Sequence, residues 1–387
     1  MPLVPEIATR VADIAAWRQA LHAMPEILYD LPDTAAFVAG KLRAFGCDEV
    51  VTGLGRTGVV GLIEGRAGDG RTIALRADMD ALPITEETGR PYASTRSGMM
   101  HACGHDGHMA MLLGAARHLC ETRAFRGRVA LVFQPAEEGG AGALAMIEDG
   151  LMERFGIEAV YGMHNLPGLA VGRIALRPGP IMAATDEFEV TIRGRASHAA
   201  LPHEGADPIL AGAALVQALQ QIAARNVDPL DSLVLSVTRF HSGFARNIIP
   251  DEAQLSGTVR SLTAASQDLA ERRIGAIAHG IASAHGATAT VSYKRNYPVT
   301  VNDAREAAFC AAVAAEVCGK TEVDAAAPPL MAAEDFSYML EARPGAFVFL
   351  GNGATAGLHN PGYDFDDAAI PFGASYWVRL VERALGP

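Results

Sequence analysis

The chain has 387 residues, 50% of them hydrophobic and 20% charged, with a formal net charge of −12. That length accommodates two domains, and the balanced composition argues against disorder beyond the termini. The acidic balance argues against a nucleic-acid surface and against docking on anionic membranes.

No window reaches about 18 uninterrupted apolar residues, so no transmembrane helix is expected. The amino-terminal residues lack the basic, apolar and small-residue order of a signal peptide. Five cysteines (Cys47, Cys103, Cys120, Cys310 and Cys318) are odd in number and widely spaced. They fit a reducing compartment better than a disulfide framework, and the expected location is cytoplasmic.

Residues 5–24 and 33–45 have helical periodicity, and Gly46 stops the second run. Short apolar strands are expected at 59–63 and 72–76. Before the first lies Gly53-Leu54-Gly55-Arg56-Thr57-Gly58, which matches the dinucleotide-binding pattern. That pattern needs a helix after its last glycine; here a β-branched strand follows, so these glycines make a turn. The second strand runs into Asp78-Met79-Asp80-Ala81-Leu82-Pro83, two carboxylates at the end of a strand, where α/β sheets place their sites.

Met99-Met100-His101-Ala102-Cys103-Gly104-His105-Asp106-Gly107-His108 comes next. Thiolate and neutral imidazole are good ligands for zinc-like divalent metals, and Cys103-x-His105 lets one loop supply two of them. A helix over 107–121 follows, then a strand over 128–133 that enters Gln134-Pro135-Ala136-Glu137-Glu138-Gly139-Gly140. Adjacent carboxylates are costly to bring together unless something positive holds them. A metal does so, with one Glu ligating and its neighbour left as a general base. A helix over 141–149 and a strand over 158–161 lead to Gly162-Met163-His164-Asn165, with His164 expected at a strand end. This alternation predicts an α/β sheet with a mostly parallel core.

Near residue 183 the pattern changes to strand, helix, strand, strand, helix, strand (186–193, 207–225, 232–240, 252–261, 264–285, 287–293). That order predicts a split βαβ, ferredoxin-like antiparallel sheet with two helices on one face, inserted as residues 183–296. The α/β pattern then returns with helices at 304–317 and 334–341, a strand at 346–350, the loop Gly357-Leu358-His359-Asn360-Pro361 and a final helix over 368–385. Residues 1–182 and 297–387 therefore make one discontinuous domain.

Several of these stretches, in this order along essentially the whole chain, resemble the M20 metallopeptidase superfamily, and its amidohydrolase branch most. They are Arg76 to Pro83, His101 to Asp106, Gln134 to Gly139, Met163-His164-Asn165, Ala196-Ser197-His198-Ala199-Ala200-Leu201-Pro202, Asn247-Ile248-Ile249-Pro250 and Gly357 to Asn360. The resemblance implies a two-metal centre held by Cys103, His105, Glu138, His164 and His359, filled by Zn, Mn, Co or Ni, with Glu137 as general acid/base. Many peptidase relatives carry His-x-Asp where this chain has Asp78-x-Asp80. Asp78 therefore cannot be assumed to ligate, and Asp80 is better placed to orient a ligand. The resemblance also implies that the smaller domain pairs subunits into a dimer or a dimer of dimers, and the hinge near residues 183 and 296 suggests that it closes as a lid. There His198 reaches the partner's site to stabilise the oxyanion, while Asn247 and Arg260 bind the substrate carboxylate.

The chemistry follows from the residue types. A divalent metal pulls the pKa of water towards about 7; Glu137 can take its proton and deliver it to the leaving nitrogen. The expected activity is hydrolysis of small N-acyl amino acids, hippurate-like, to a carboxylic acid and a free amino acid. The alternatives are an N-acetyl-diaminopimelate-type deacetylase or dipeptidase, or a non-catalytic metal-binding homologue. Met182, Phe336, Tyr338 and Leu358 are candidates for the acyl pocket. His101, His108, His203 and His241 are read as structural or peripheral, and His22, His118, His279 and His285 as surface or packing groups.

Overall fold

The computed structural model describes residues 3–386. They form two compact units, one drawn from residues 3–181, 301–328 and 335–386, the other from Met182–Thr300 and Pro329–Glu334.

In the first unit an eight-stranded sheet runs, edge to edge, Glu49–Leu54, Gly58–Glu64, Arg128–Gln134, Thr72–Asp78, Ile157–Leu166, Gly345–Gly351, Ile174–Ala175 and Val323–Asp324. The third to sixth of these are mutually parallel. Thr72–Asp78 and Gly345–Gly351 are buried at every position, and Arg128–Gln134 at all but one. Parallel strands covered on both faces read as continuous apolar runs for this reason. Helices Val11–His22, Pro32–Phe45 and Ile370–Leu385 pack on the helix His105–Thr122. Because the four central strands are parallel, their carboxyl ends share one edge of the sheet. The segments carrying Asp78 and Asp80, Glu137 and Glu138, His164, and the approach to His359 all leave from that edge.

Gly53 to Gly58 spans the hairpin between two antiparallel strands, so no helix follows the glycines. The first helical run is two helices, Pro5–Thr9 and Val11–His22, because Arg10 leaves helical geometry at φ −111°, ψ 8°. The strand expected at 158–161 runs as Ile157–Leu166, since pairing with Gly345–Gly351 satisfies its backbone that far. His164 therefore lies within the strand, opposite Phe349.

The second unit holds a fully antiparallel sheet ordered Leu233–Ser242, Glu252–Ser261, Ala184–Arg193, Thr288–Arg295. In Ala184–Arg193 buried positions alternate with less buried ones, the period-two pattern of a sheet covered on one face. Phe188, Val190 and Ile192 meet Ala211, Leu215 and Leu219 of the helix Pro208–Leu219 and Ile274, Ala278 and Ala282 of the helix Ala264–Ala284. Both helices thus cover the same face. Asp207 caps the first by accepting from the backbone of Ile209 and Leu210, and Thr263 caps the second by accepting from Ser266. The first ends six residues sooner than the periodicity suggests and is followed by a wider turn, Ile222–Asn226.

Candidate metal centre

The turn into the helix His105–Thr122 is made by Gly104, at φ +85°. A Cβ there would sit 2.4 Å from both Asn165 Nδ2 and Tyr363 Oη. Only glycine lets Cys103 and His105 flank so tight a corner. Asp80 is the hub beside it. Its carbonyl accepts from His105 Nδ1 at 2.7 Å, and its carboxylate accepts the backbone N–H groups of Glu137 at 3.0 Å and Glu138 at 3.1 Å. A carbonyl can only accept, so His105 carries its proton on Nδ1. That leaves Nε2, buried and without a hydrogen-bond partner, as a lone-pair donor.

His164 repeats the device. Its Nδ1 donates to the Asn165 carbonyl at 2.7 Å, and its Nε2 lies 3.4 Å from Cys103 Sγ. His359, at φ +62°, donates its backbone N–H to the Ala102 carbonyl at 2.8 Å, and its Nε2 lies 3.2 Å from Glu138 Oε1. Ligand atoms of Cys103, Glu138 and His359 all fall within 4.8 Å of one another, as do those of His105, Glu137 and Glu138 and those of Asp78, His105, His108 and His164.

The electrostatics ask for a cation. Burial first, and then Glu138, Glu137 and Asp78, push the Cys103 thiol well above its ordinary range. Burial opposes charge on His105, yet Asp78, Asp80 and Glu138 outweigh it and raise its pKa to about 10. Burial and the neighbouring His108 hold His164 well below the usual range, hence neutral. A thiol that cannot ionise alone and an imidazole pulled towards a proton both mark a pocket of excess negative charge. Divalent cations relieve that excess, and the soft and borderline donors present suit zinc-like ions.

Asp78 is engaged elsewhere. One oxygen accepts from Arg76 Nη1 at 2.8 Å and the other lies 2.6 Å from His108 Nδ1. Arg76 also donates to Gln134 and Asp335. His108 Nε2 accepts the backbone N–H of Asn165 at 2.9 Å, and Asn165 in turn donates to the Cys103 carbonyl and accepts from Tyr363. His108 is buried against Asp78 at the site, and His101 is buried with its ring 6.3 Å from that of His22, so neither is peripheral. Arg76, Gln134 and Asn165 stand in the quoted stretches but were given no role there, and Asp335 and Tyr363 stand in none of them. One signal was available: Arg76 is a cation inside an otherwise apolar strand. Phe336 is fully buried and packs on Phe347, ring centroids 5.5 Å apart, so it is a core residue and not a pocket wall.

His198, Asn247 and Arg260 belong to the second unit. His198 is exposed on the two-residue strand Ser197–His198, which pairs with Ile248–Ile249. Its Nδ1 accepts the Ala200 N–H at 3.0 Å, which places its proton on the outward Nε2. Asn247 is exposed beside it, its carbonyl accepting from Ala199. Arg260 lies on Glu252–Ser261, and its Nη1 is buried without a hydrogen-bond partner.

A family profile described as peptidase family M20/M25/M40 matches residues 74–383. The chain is 41% identical over 385 residues to hippurate hydrolase of Campylobacter jejuni, covering 100% of both. It is 42% identical over 374 residues to N-acetyl-L-cysteine deacetylase of Bacillus subtilis, covering 96% of this chain and 88% of that one. Among solved structures, a dinuclear metal-binding M20 peptidase of Bacillus subtilis matches with a TM-score of 0.86 at 34% identity, covering 98% of this chain and 99% of that one.

Proposed function

This chain belongs to peptidase family M20/M25/M40, and from that premise we propose that it hydrolyses hippurate-like N-acyl amino acids. It is a metal-dependent amidohydrolase of linear amides. The observation that carries the reading is the convergence of Cys103, Glu138 and His359 within 4.8 Å, with the unpartnered His105 Nε2 buried alongside.

In this reading Cys103, His105, Glu138, His164 and His359 hold two divalent ions. When bound, such ions supply Lewis acidity to the scissile carbonyl and to the attacking water. Glu137 receives the water's proton and returns it to the departing nitrogen. Its main chain is pinned on the Asp80 carboxylate, which fixes where its side chain starts. His198, with its proton on Nε2, is suited to donate to an oxyanion. Arg260 offers a guanidinium with a nitrogen lacking a partner, and a planar fork matches a carboxylate; Asn247 supports the same end of the substrate.

Self-association through the second unit is part of the proposal. Most of the exposed large apolar residues belong to it, among them Leu210, Leu230 and Phe244, the last 83% exposed. No helix among the described residues is long and apolar enough to cross a membrane; a cytoplasmic location is proposed from the free cysteines.

The test is to strip the protein of metal and assay a panel of N-benzoyl and N-acetyl amino acids, N-acetyl-diaminopimelate and dipeptides. Zn, Mn, Co or Ni is added back, with Glu137→Ala alongside. Activity restored by metal on N-benzoyl amino acids and lost in the variant is the expected result. Turnover confined to dipeptides, or none with metal bound, overturns the reading.

A further inference from the structure

Arg18 and His22 lie one turn apart on the helix Val11–His22, and both are fully buried. Arg18 grips Asp367 with two bonds, Nε to Oδ1 at 2.8 Å and Nη2 to Oδ2 at 3.1 Å. Its third nitrogen, Nη1, lies 3.5 Å from Asp106 Oδ2 and 3.7 Å from Asp364 Oδ1. His22 Nδ1 approaches the same Asp106 oxygen at 2.8 Å. The Tyr92 ring lies against the guanidinium, 4.3 Å from its centroid.

These acidic partners are placed suggestively. Asp106 follows His105 directly in the first turn of its helix. Asp364 and Asp367 lie on the segment that leaves His359, which Tyr363 also ties to Asn165 at 2.8 Å. One guanidinium therefore spans both segments, hydrogen-bonded to Asp367 on the His359 side and held to Asp106 on the Cys103–His105 side by a longer charge contact, its Nη1 having no hydrogen-bond partner. A buried ion-pair cluster is a poor way to gain stability, because desolvating the charges offsets most of the attraction. What a rigid fork with several donors does provide is a fixed spacing between the carboxylates it grips.

We propose that Arg18 is a positioning residue that sets the distance between the Cys103–His105 segment and the His359 segment, and so tunes metal affinity. The proposal rests on Cys103 and His359 being metal ligands. Lysine keeps the charge and loses the fork, so Arg18→Lys is the first variant. Asp367→Asn is the second; it removes one anchor from a partly exposed position and leaves Arg18 facing Asp106.

Metal-free wild type, both variants and Cys103→Ser are titrated with Co(II). Calorimetry gives the Kd, absorption reports the thiolate-to-cobalt charge-transfer band, and a thermal melt of each metal-free protein reports the fold. The expected result is a Kd raised about tenfold or more in both variants, as for other residues that orient metal ligands, with a weakened or shifted charge-transfer band. The metal-free melts fall, because removing one partner of a buried ion pair is destabilising, so each titration is run well below that protein's own melt. Wild-type Kd in the variants, with or without a lowered melt, overturns the proposal and leaves Arg18 a packing residue. If Arg18→Lys fails to fold, the Asp367→Asn titration decides alone. If wild type shows no charge-transfer band that Cys103→Ser removes, the ligand assignment has failed, and the proposal falls with it for that separate reason.

Discussion

Replacing Asp80 with Asn tests the organisation of the centre most directly, because it changes almost no volume. The carboxylate offers two oxygens, and each takes one backbone N–H, from Glu137 at 3.0 Å and Glu138 at 3.1 Å. Asparagine has one acceptor oxygen and turns an NH2 group towards the other N–H. One buried donor is then left unsatisfied, at about 1–3 kcal/mol. The surviving bond loses its charge assistance, roughly half its strength. A total near 3 kcal/mol corresponds to about a hundredfold. The His105 contact to the Asp80 main-chain carbonyl is retained, so the loss should fall on the placement of Glu137 and Glu138. The assay is hydrolysis of an N-benzoyl amino acid by metal-saturated enzyme, beside a metal titration and urea unfolding. The expected outcome is kcat/KM lowered about a hundredfold, with kcat carrying most of the loss. A kcat/KM within about threefold of wild type, at unchanged metal affinity and urea midpoint, would refute the assignment of Asp80 as the hub.

Glu137→Gln should lower kcat by about 10²–10⁴, the usual range for a general base, while metal stoichiometry measured on the dialysed protein stays at the wild-type value. Gly104→Ala combines a left-handed backbone, costing about 1–2 kcal/mol for a residue with a Cβ, with a 2.4 Å clash against Asn165 and Tyr363. A lower urea midpoint and weaker metal retention should follow together. Burial works against a charged His22, but Asp106 and Glu86 outweigh it and raise its pKa from 6.5 to about 9. Its stabilising contribution is therefore complete below about pH 6.5 and is lost as pH rises through about 9. The unfolding free-energy gap between wild type and His22→Gln should be widest at pH 6 and shrink by about 3 kcal/mol towards pH 10; a gap independent of pH would show that His22 acts only by filling space.

What could be read in the sequence follows from where the chain keeps its information. Central strands such as Thr72–Asp78 announce themselves because both faces are covered. The edge strand Glu49–Leu54 does not, since only Leu54 is buried and the exposed positions follow no strict alternation. The two-residue strands Ile174–Ala175 and Val323–Asp324 are too short to carry a period at all. Among the candidate ligands, the parallel strands gather residues that stand in short local runs, which is why Cys103, His105, Glu137 and Glu138 were visible. The partners that hold those runs in place were not. His22 meets Asp106 across 84 residues and Arg18 meets Asp367 across 349. Both stand in a helical stretch that otherwise reads as an ordinary surface helix, so that only tertiary contact reveals their burial.

The charge arithmetic of the centre bears on how many ions it takes. Arg76 lies 2.8 Å from Asp78 and 3.0 Å from Asp335, so its one charge is shared between two buried carboxylates. Asp80, Glu137, Glu138 and Cys103 as a thiolate remain, four anions in a pocket where Asp80, Glu137 and Cys103 are all buried. A single divalent ion would leave two negative charges in a medium where uncompensated charge is costly. Two ions balance these four anions, apart from the Asp78 and Asp335 carboxylates that share Arg76. Substituting Cys103 with Ser removes one anion and a soft donor, so the second equivalent of metal should weaken far more than the first in a calorimetric titration. Equal weakening of both equivalents would mean that Cys103 bridges the pair or that charge balance does not govern occupancy.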